Sequence, residues 1–210
     1  MNARDSFSEI AALSIHDVKN NLAQLAAEAE ARGDTKSLDI ALSASETLTR
    51  LLCFYKSETH QLHLQIDAQD PHELIEDLLS HHTSRIQTQT HLQIVKDLSQ
   101  APTLWFYDKT LIQMILANAL QNALRYARKE ISISVIAHQD YLEICVQDDG
   151  IGYPSSVLES LNTCNPVTAH GTGLGLGLAQ RVLALHTNND RQGEIILSNQ
   201  DGAKFQMRLP

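Results

Sequence analysis

Two glycine-rich stretches, Asp148-Asp149-Gly150-Ile151-Gly152 and Gly171-Thr172-Gly173-Leu174-Gly175-Leu176-Gly177-Leu178, have residue types and spacings that could do chemistry. The second runs into Ala179-Gln180-Arg181-Val182-Leu183-Ala184-Leu185, whose composition suits a helix. Alternate glycines ahead of a helix let backbone approach a ligand closely. They also leave N–H groups and the positive end of the helix dipole facing outward, which suits phosphate. The acid of the first stretch has a different use. Facing a polyphosphate it would repel, so Asp148 is expected to face a hydrogen-bond donor such as an adenine amino group. A glycine cluster by itself is ordinarily a flexible turn. These two follow neither the P-loop order (Gly, four residues, Gly-Lys-Ser/Thr) nor the Gly-x-Gly-x-x-Gly spacing of a dinucleotide fold.

Upstream of both, Asn118, Asn122, Arg125 and Tyr126 fall at offsets of 0, 4, 7 and 8, which on a helix stacks them along one face. Two amides in line with a cation are poor material for a core stripe. Asn118 has an amide oxygen to offer a hard cation such as Mg2+, and Arg125 can offset phosphate charge. Near the start of the chain, His16 and Asn20 are four residues apart and share a helix face. Asp17 is next to the histidine, an awkward offset for direct contact that a suitable rotamer still allows. An exposed histidine on a helix is, by itself, ordinarily a bystander.

These residues need elements to hold them. Ser6 with Glu9 three residues later has the form of a capping box, so a helix is expected to begin near Ser6. From there Ile15, Val18, Leu22, Leu25 and Ala29 repeat at alternating three- and four-residue steps, a narrow seam. His16 sits about 100° round from Ile15, on the flank of that seam and accessible to solvent. Gly33 is expected to end the helix, and Asp34 or Thr35 to cap the next. The second helix carries Leu38, Ala41, Ser45, Leu48, Leu52 and Tyr55 in the same rhythm. One hairpin cannot bury both seams well, whereas two copies can, as a four-helix bundle. A homodimer is therefore expected.

The helical seam stops between Ser57 and Asp70, which puts a domain boundary near residue 60, with residues 1–59 as the hairpin and 60–210 as a second unit. There His63-Leu64-Gln65-Ile66-Asp67 alternates like a short strand, and Asp70-Pro71 gives a cap with proline at the first helical position. Leu74, Ile75, Leu78 and Leu79 supply a core face, and Leu92–Lys96 reads as a strand. Asp108 can cap the asparagine helix, whose other side, Leu111, Ile112, Ile115, Leu116, Ala119 and Leu120, forms a buried stripe. Ile131–Val135 and Tyr141–Val146 form one hairpin, turned at His138-Gln139-Asp140. Gly193–Ser198 and Ala203–Leu209 form another, turned at Asn199-Gln200-Asp201-Gly202. The fold class is α+β: an N-terminal antiparallel helical hairpin forming a dimeric four-helix bundle, then an α/β sandwich with helices on one face of a mixed, mostly antiparallel sheet.

The bulk numbers set limits on partners. In 210 residues, 43% hydrophobic and 20% charged with a net charge of -9, the composition is that of a soluble globular protein with enough chain for a real core. Such a surface suits neither nucleic acid nor anionic membrane, so bound phosphate must be held by local groups or a metal ion. Cys53, Cys145 and Cys164 are odd in number and in no metal-ligand spacing, as expected of reduced thiols in a cytoplasmic protein. His60/His63 and His81/His82 lack supporting carboxylate or cysteine patterns and are expected to be solvated. No stretch approaches the roughly 18 apolar residues of a membrane segment, and no signal-peptide pattern opens the chain.

Taken in order along the chain, four of these stretches resemble the boxes of two-component sensor histidine kinases, and the resemblance covers essentially the whole sequence. His16-Asp17-Val18-Lys19-Asn20-Asn21-Leu22 is similar to the H box, and Asn118–Tyr126 resembles the N box closely. Asp148-x-Gly150-x-Gly152 matches the G1 box and Gly171-x-Gly173-Leu174-Gly175-Leu176 the G2 box. The family implies a dimerisation and histidine-phosphotransfer hairpin followed by a Bergerat-type ATP-binding domain. By that resemblance, neutral His16 attacks the γ-phosphate of ATP and Asp17 orients or deprotonates the imidazole. Asn118 holds Mg2+, Asn122 and Arg125 support the phosphate end, Asp148 accepts from the adenine amino group, and Tyr126 lies near the base. The backbone around Gly171, Thr172, Gly173, Leu174 and Gly175 cradles the phosphates. The phosphoryl group then passes to an aspartate of a response-regulator receiver domain, and Asn20 stands where relatives position water for a phosphatase step. Two departures stand out: Asn21 replaces a proline common in relatives, and no phenylalanine motif lies between Gly152 and Gly171. The absence of a sensor from these residues implies a separate sensory partner or a longer protein. The alternatives are a dimeric phosphotransfer or phosphatase module and an ATP-binding regulator, each with weak or no autokinase activity.

Overall fold

The computed structural model describes the backbone of residues 3–59, 61–160 and 174–210; the side chains of residues 3–14, His16, Ser160 and Leu174 lie outside that description. The chain divides into two units, Met1–Leu62 and His63–Pro210, taken here one at a time.

In the first unit α1 (Ala3–Ala31) and α2 (Thr35–Glu58) pack against each other as a hairpin. Helix α1 is already formed at Ala3, so Ser6 and Glu9 lie within it and do not cap it. Ala3 and Arg4 are strong helix formers and carry the helix past the expected start. The turn follows the sequence: Gly33 takes φ 66°, and Asp34 caps α2 by accepting from the Ser37 N–H at 3.1 Å and the Ser37 hydroxyl at 2.6 Å. The apolar stripe of α1 does not act as one seam. Ala26 and Ala29 are buried, while Val18 and Leu25 are 45% and 51% exposed. Ala29 lies only about 20–40° round the axis from the exposed pair, so the pair stays an apolar edge although it shares a side of α1 with a buried alanine.

The second unit opens with residues 63–66 outside regular structure, followed by β1 (Asp67–Gln69). The strand expected at His63–Asp67 is therefore displaced. A strand needs a pairing partner, and the Gln65 N–H donates to the Asp108 carboxylate at 2.9 Å instead. Helix α3 (Pro71–His81) is capped by Asp70, which accepts from the His72 N–H at 2.8 Å. The short α4 (Thr83–Thr88) follows directly. Between them His82 is buried, with Nδ1 placed to donate to the Leu78 carbonyl at 2.9 Å, so it is not the solvated histidine its sequence context suggested.

Then come β2 (Gln93–Gln100), β3 (Trp105–Tyr107), α5 (Lys109–Tyr126), β4 (Glu130–Ala137), β5 (Leu142–Asp148), α6 (Ser155–Ser160), α7 (Leu174–Leu185), the short pair β6 (Thr187–Asn188) and β7 (Arg191–Gln192), β8 (Glu194–Asn199) and β9 (Ala203–Leu209). Strand β1 pairs antiparallel with β3, Asp67 opposite Tyr107. The main sheet has the order β2-β4-β5-β9-β8, with β2 and β4 parallel and every other pair antiparallel. Alternation along the strands puts Ile131, Ile133, Val135, Ile144, Phe205 and Met207 in the core, under α5 and α7. The opposite face is polar: Arg208 reaches Glu143 and Glu194, each at 3.0 Å. No helix among the described residues is long and apolar enough to cross a membrane.

Candidate functional site

The site grows from α5. Asp108 starts this helix by accepting from the Leu111 N–H at 3.0 Å. Its buried stripe, Leu111, Ile112, Ile115, Leu116, Ala119 and Leu120, seats it on the sheet. That seating turns the polar face outward: Asn118 is half-buried, while Asn122, Arg125 and Tyr126 are exposed. The Arg125 guanidinium lies 5.4 Å from the Tyr126 ring centroid, a cation–π contact that fixes the two together.

Two other segments close on this face. Helix α7 is already helical at Leu174, so Gly175 and Gly177 belong to its first turns and do not precede it as expected. Gly175 lies against the Asn118 side chain: a Cβ there would sit 2.6 Å from its Nδ2. Any larger residue would push the Asn118 amide aside. The loop after β5 approaches the other end of the face, where Gly150 touches the Tyr126 carbonyl so closely that no side chain fits. Gly152 takes φ 79°, which returns the loop toward Asn199.

Asp148 ends β5 and is 5% exposed. One carboxylate oxygen, Oδ1, accepts from the Gly150 N–H at 2.8 Å and the Ala203 N–H at 3.3 Å. Burial pushes its pKa up, the two N–H groups work against that shift, and the neighbouring Asp149 adds to it. Both backbone donors go to Oδ1, and Oδ2 has no hydrogen-bond partner among the described residues. The free oxygen is what an acceptor for an incoming donor requires. Asp149 is held differently. It accepts from the Arg128 N–H at 2.7 Å and the Lys129 N–H at 3.0 Å, and these bonds, that of Lys129 first, pull its pKa down.

The structure thus brings together Asn118 with Gly175, Tyr126 with Gly150, and Asp148 with the backbone of Gly150. Gly171, Thr172 and Gly173 lie outside the described residues, as do the side chains of Leu174 and His16. Asp17 and Asn20 are exposed on α1, in the first unit. Among the described residues no group of three His, Cys, Asp or Glu side chains could hold a metal ion. Sequence reasoning missed Asp149 and Asn199. Asn199 accepts from the Tyr153 N–H at 2.7 Å and donates to the Tyr153 carbonyl at 3.0 Å, and no local spacing announces a partner that distant in sequence.

Comparison with known proteins points the same way. Residues 107–210 match the family described as histidine kinase-, DNA gyrase B-, and HSP90-like ATPase. The chain is 29% identical to histidine protein kinase SaeS of Staphylococcus aureus over 191 residues, covering 80% of this chain and 54% of SaeS. It therefore spans about half the length of the curated relatives it matches. The histidine kinase AdeS of Acinetobacter baumannii shares the fold with a TM-score of 0.64 at 21% identity, over 91% of this chain and 94% of that one. Full-length ShkA in complex with AMPPNP gives 0.72 at 19% identity, over 96% and 45%. The nucleotide-free catalytic domain of histidine kinase ThkA gives 0.60 at 21%, over 70% and 97%. Residues 107–210 belong to the ATPase family that histidine kinases share with DNA gyrase B and HSP90, and the chain resembles the ATP-binding catalytic core of histidine kinases.

Proposed function

We propose that the chain is an ATP-dependent protein-histidine kinase that phosphorylates His16 and passes the phosphoryl group to a receiver-domain aspartate. One observation carries this reading: three segments far apart in sequence, at Asn118–Tyr126, Asp148–Gly152 and Gly175, meet side chain to backbone with glycines at the contacts. In it Asp148 accepts from the adenine amino group through Oδ2, and Tyr126 lies by the base. Asn122 and Arg125 meet the phosphate end, with the backbone from Gly171 to Gly175 as cradle. A Mg2+ ion neutralises phosphate charge. The donor set fits an ion that arrives on the nucleotide and gains the Asn118 amide oxygen, since no carboxylate cluster among the described residues would hold one alone.

On the hairpin, residues 1–59 act as the dimerisation and phosphotransfer domain, and residues 60–210 as the catalytic domain. A ring nitrogen of neutral His16 bonds to the γ-phosphorus as the bond to the bridging oxygen breaks, and ADP leaves with that electron pair. Asp17 orients the imidazole at its other nitrogen and takes up the proton there. Positioning and charge neutralisation supply most of the catalysis. The exposed edge at Val18 and Leu25 supports a homodimer. Asn20, exposed on the same helix, supports a phosphatase step on the receiver. A sensory partner and a cytoplasmic location complete the reading.

Incubation with γ-labelled ATP and Mg2+ tests it. The expected result is acid-labile label on the chain, absent from His16→Gln. Nucleotide binding without label would favour an ATP-binding regulator. Receiver-directed activity without either would favour a phosphotransfer or phosphatase module.

A further inference from the structure

The loop after β5 is gripped from both sides by side chains that hold backbone. At its start, Asp149 accepts from the Arg128 N–H at 2.7 Å and, with both oxygens, from the Lys129 N–H at 3.0 Å. Its own N–H donates to the Glu130 carbonyl at 3.3 Å. Arg128 and Lys129 lie immediately beyond the end of α5, whose C-cap is Ala127. At the far side of the loop, the Asn199 amide pairs with both the N–H and the carbonyl of Tyr153, as a neighbouring strand would. Asn199 ends β8, and its turn also presses Gly202 onto the Asp148 carbonyl. Between the two grips Ile151 is 75% exposed, so packing of its own side chain does little to hold the loop.

We infer that Asp149 and Asn199 are positioning residues for the nucleotide, fixing the separation between the Asp148 carboxylate and the Asn122–Tyr126 end of α5. The inference rests on the reading that the nucleotide lies between that helix and that loop. A ligand that must meet both at once is sensitive to their spacing, and misplacement by about 1 Å can cost on the order of a hundredfold in rate. Hydrogen bonds to a carboxylate are roughly twice as strong as neutral ones. Asp149 therefore holds the loop more firmly than Asn199.

Calorimetric titration of ADP into the full chain tests this. Asp149→Ala is expected to lose about tenfold in ADP affinity. Asp149→Asn keeps one acceptor oxygen and falls between that variant and wild type, and Asn199→Ala loses a smaller factor. The control is Asp70→Ala, which removes the cap of α3, away from the loop. It lowers the melting midpoint yet leaves ADP affinity unchanged. The inference is overturned if wild type binds ADP and both Asp149→Ala and Asn199→Ala bind it equally well, or if Asp70→Ala loses as much affinity as Asp149→Ala. Failure of wild type itself to bind ADP would instead remove the nucleotide reading, and this inference with it.

Discussion

In the helical hairpin the buried apolar positions among the described residues are Ala26, Ala29 and Ala41, whereas the α/β unit buries Tyr107, Leu116, Ile133 and Leu142 completely. The difference is energetic. A fully buried leucine or isoleucine contributes about 1.5–3 kcal/mol, and an alanine methyl only about 0.8 kcal/mol. Five of the hairpin's large side chains, Val18, Leu25, Ile40, Leu42 and Leu51, face outward, while Leu22, Leu38, Leu48 and Leu52 are half-buried. One unit can stand on its own core. The other has its apolar surface where a second chain could cover it.

Two experiments bear on that contrast. The largest effect is expected for Leu116→Ala, which should cost the α/β unit about 2–5 kcal/mol in urea unfolding through lost burial and the cavity left behind. Leu25→Ser should leave that transition in place and shift the chain from dimer to monomer in sedimentation. A dimer that survives Leu25→Ser would break the comparison.

The next effect separates the core from the site within one unit. Burial raises the pKa of Asp148, so its contribution to stability is present below the unfolded value near 3.8 and is lost as pH rises through the folded value. Near neutral pH the ionised carboxylate thus weakens the fold. Asp148→Asn keeps the Oδ1 acceptor and removes the charge. It should raise the melting midpoint of the free protein while lowering ATP affinity by about ten- to a hundredfold.

The smallest effect concerns His186. Its Nδ1–H donates to the Val182 carbonyl at 2.9 Å, and its Nε2 accepts from the Asp108 N–H at 3.1 Å, which fixes a neutral tautomer. Burial lowers its pKa below 6.5, against the pull of the Asp108 carboxylate. The unfolded chain then binds the proton more readily, so stability is held above pH 6.5 and declines as pH falls below it. The urea midpoint should follow this course, and His186→Gln should flatten it.

What could be read from the sequence was local. Gly33 with Asp34, Asp70 with Pro71, and Asp108 ahead of the Leu111 stripe each signal an end through neighbours within a few residues, and each sits at such an end in the structure. Asn118, Asn122, Arg125 and Tyr126 share a face because helix geometry alone puts them there. The misses depend on distant partners. Strand β1 exists where it meets β3, Asp149 grips backbone about twenty residues away, and His186 Nε2 meets the Asp108 N–H across most of the second unit's sequence. The seam of α1 was readable as apolar. Which part of it α2 would cover was not, because Val18, Leu25 and Ala29 share one side of the helix and of the three only Ala29 is buried.

Strands β5 and β9 lie side by side, Leu142 opposite Leu209 and Gln147 opposite Lys204, although residues 149–202 run between them. Their ladder clamps both ends of everything in between. Closing a flexible loop costs only about 0.6 kcal/mol more for each doubling of its length. The register of the two strands therefore owes little to how many residues separate them in sequence, and the Asp148 end of β5 is placed by its neighbour across the sheet.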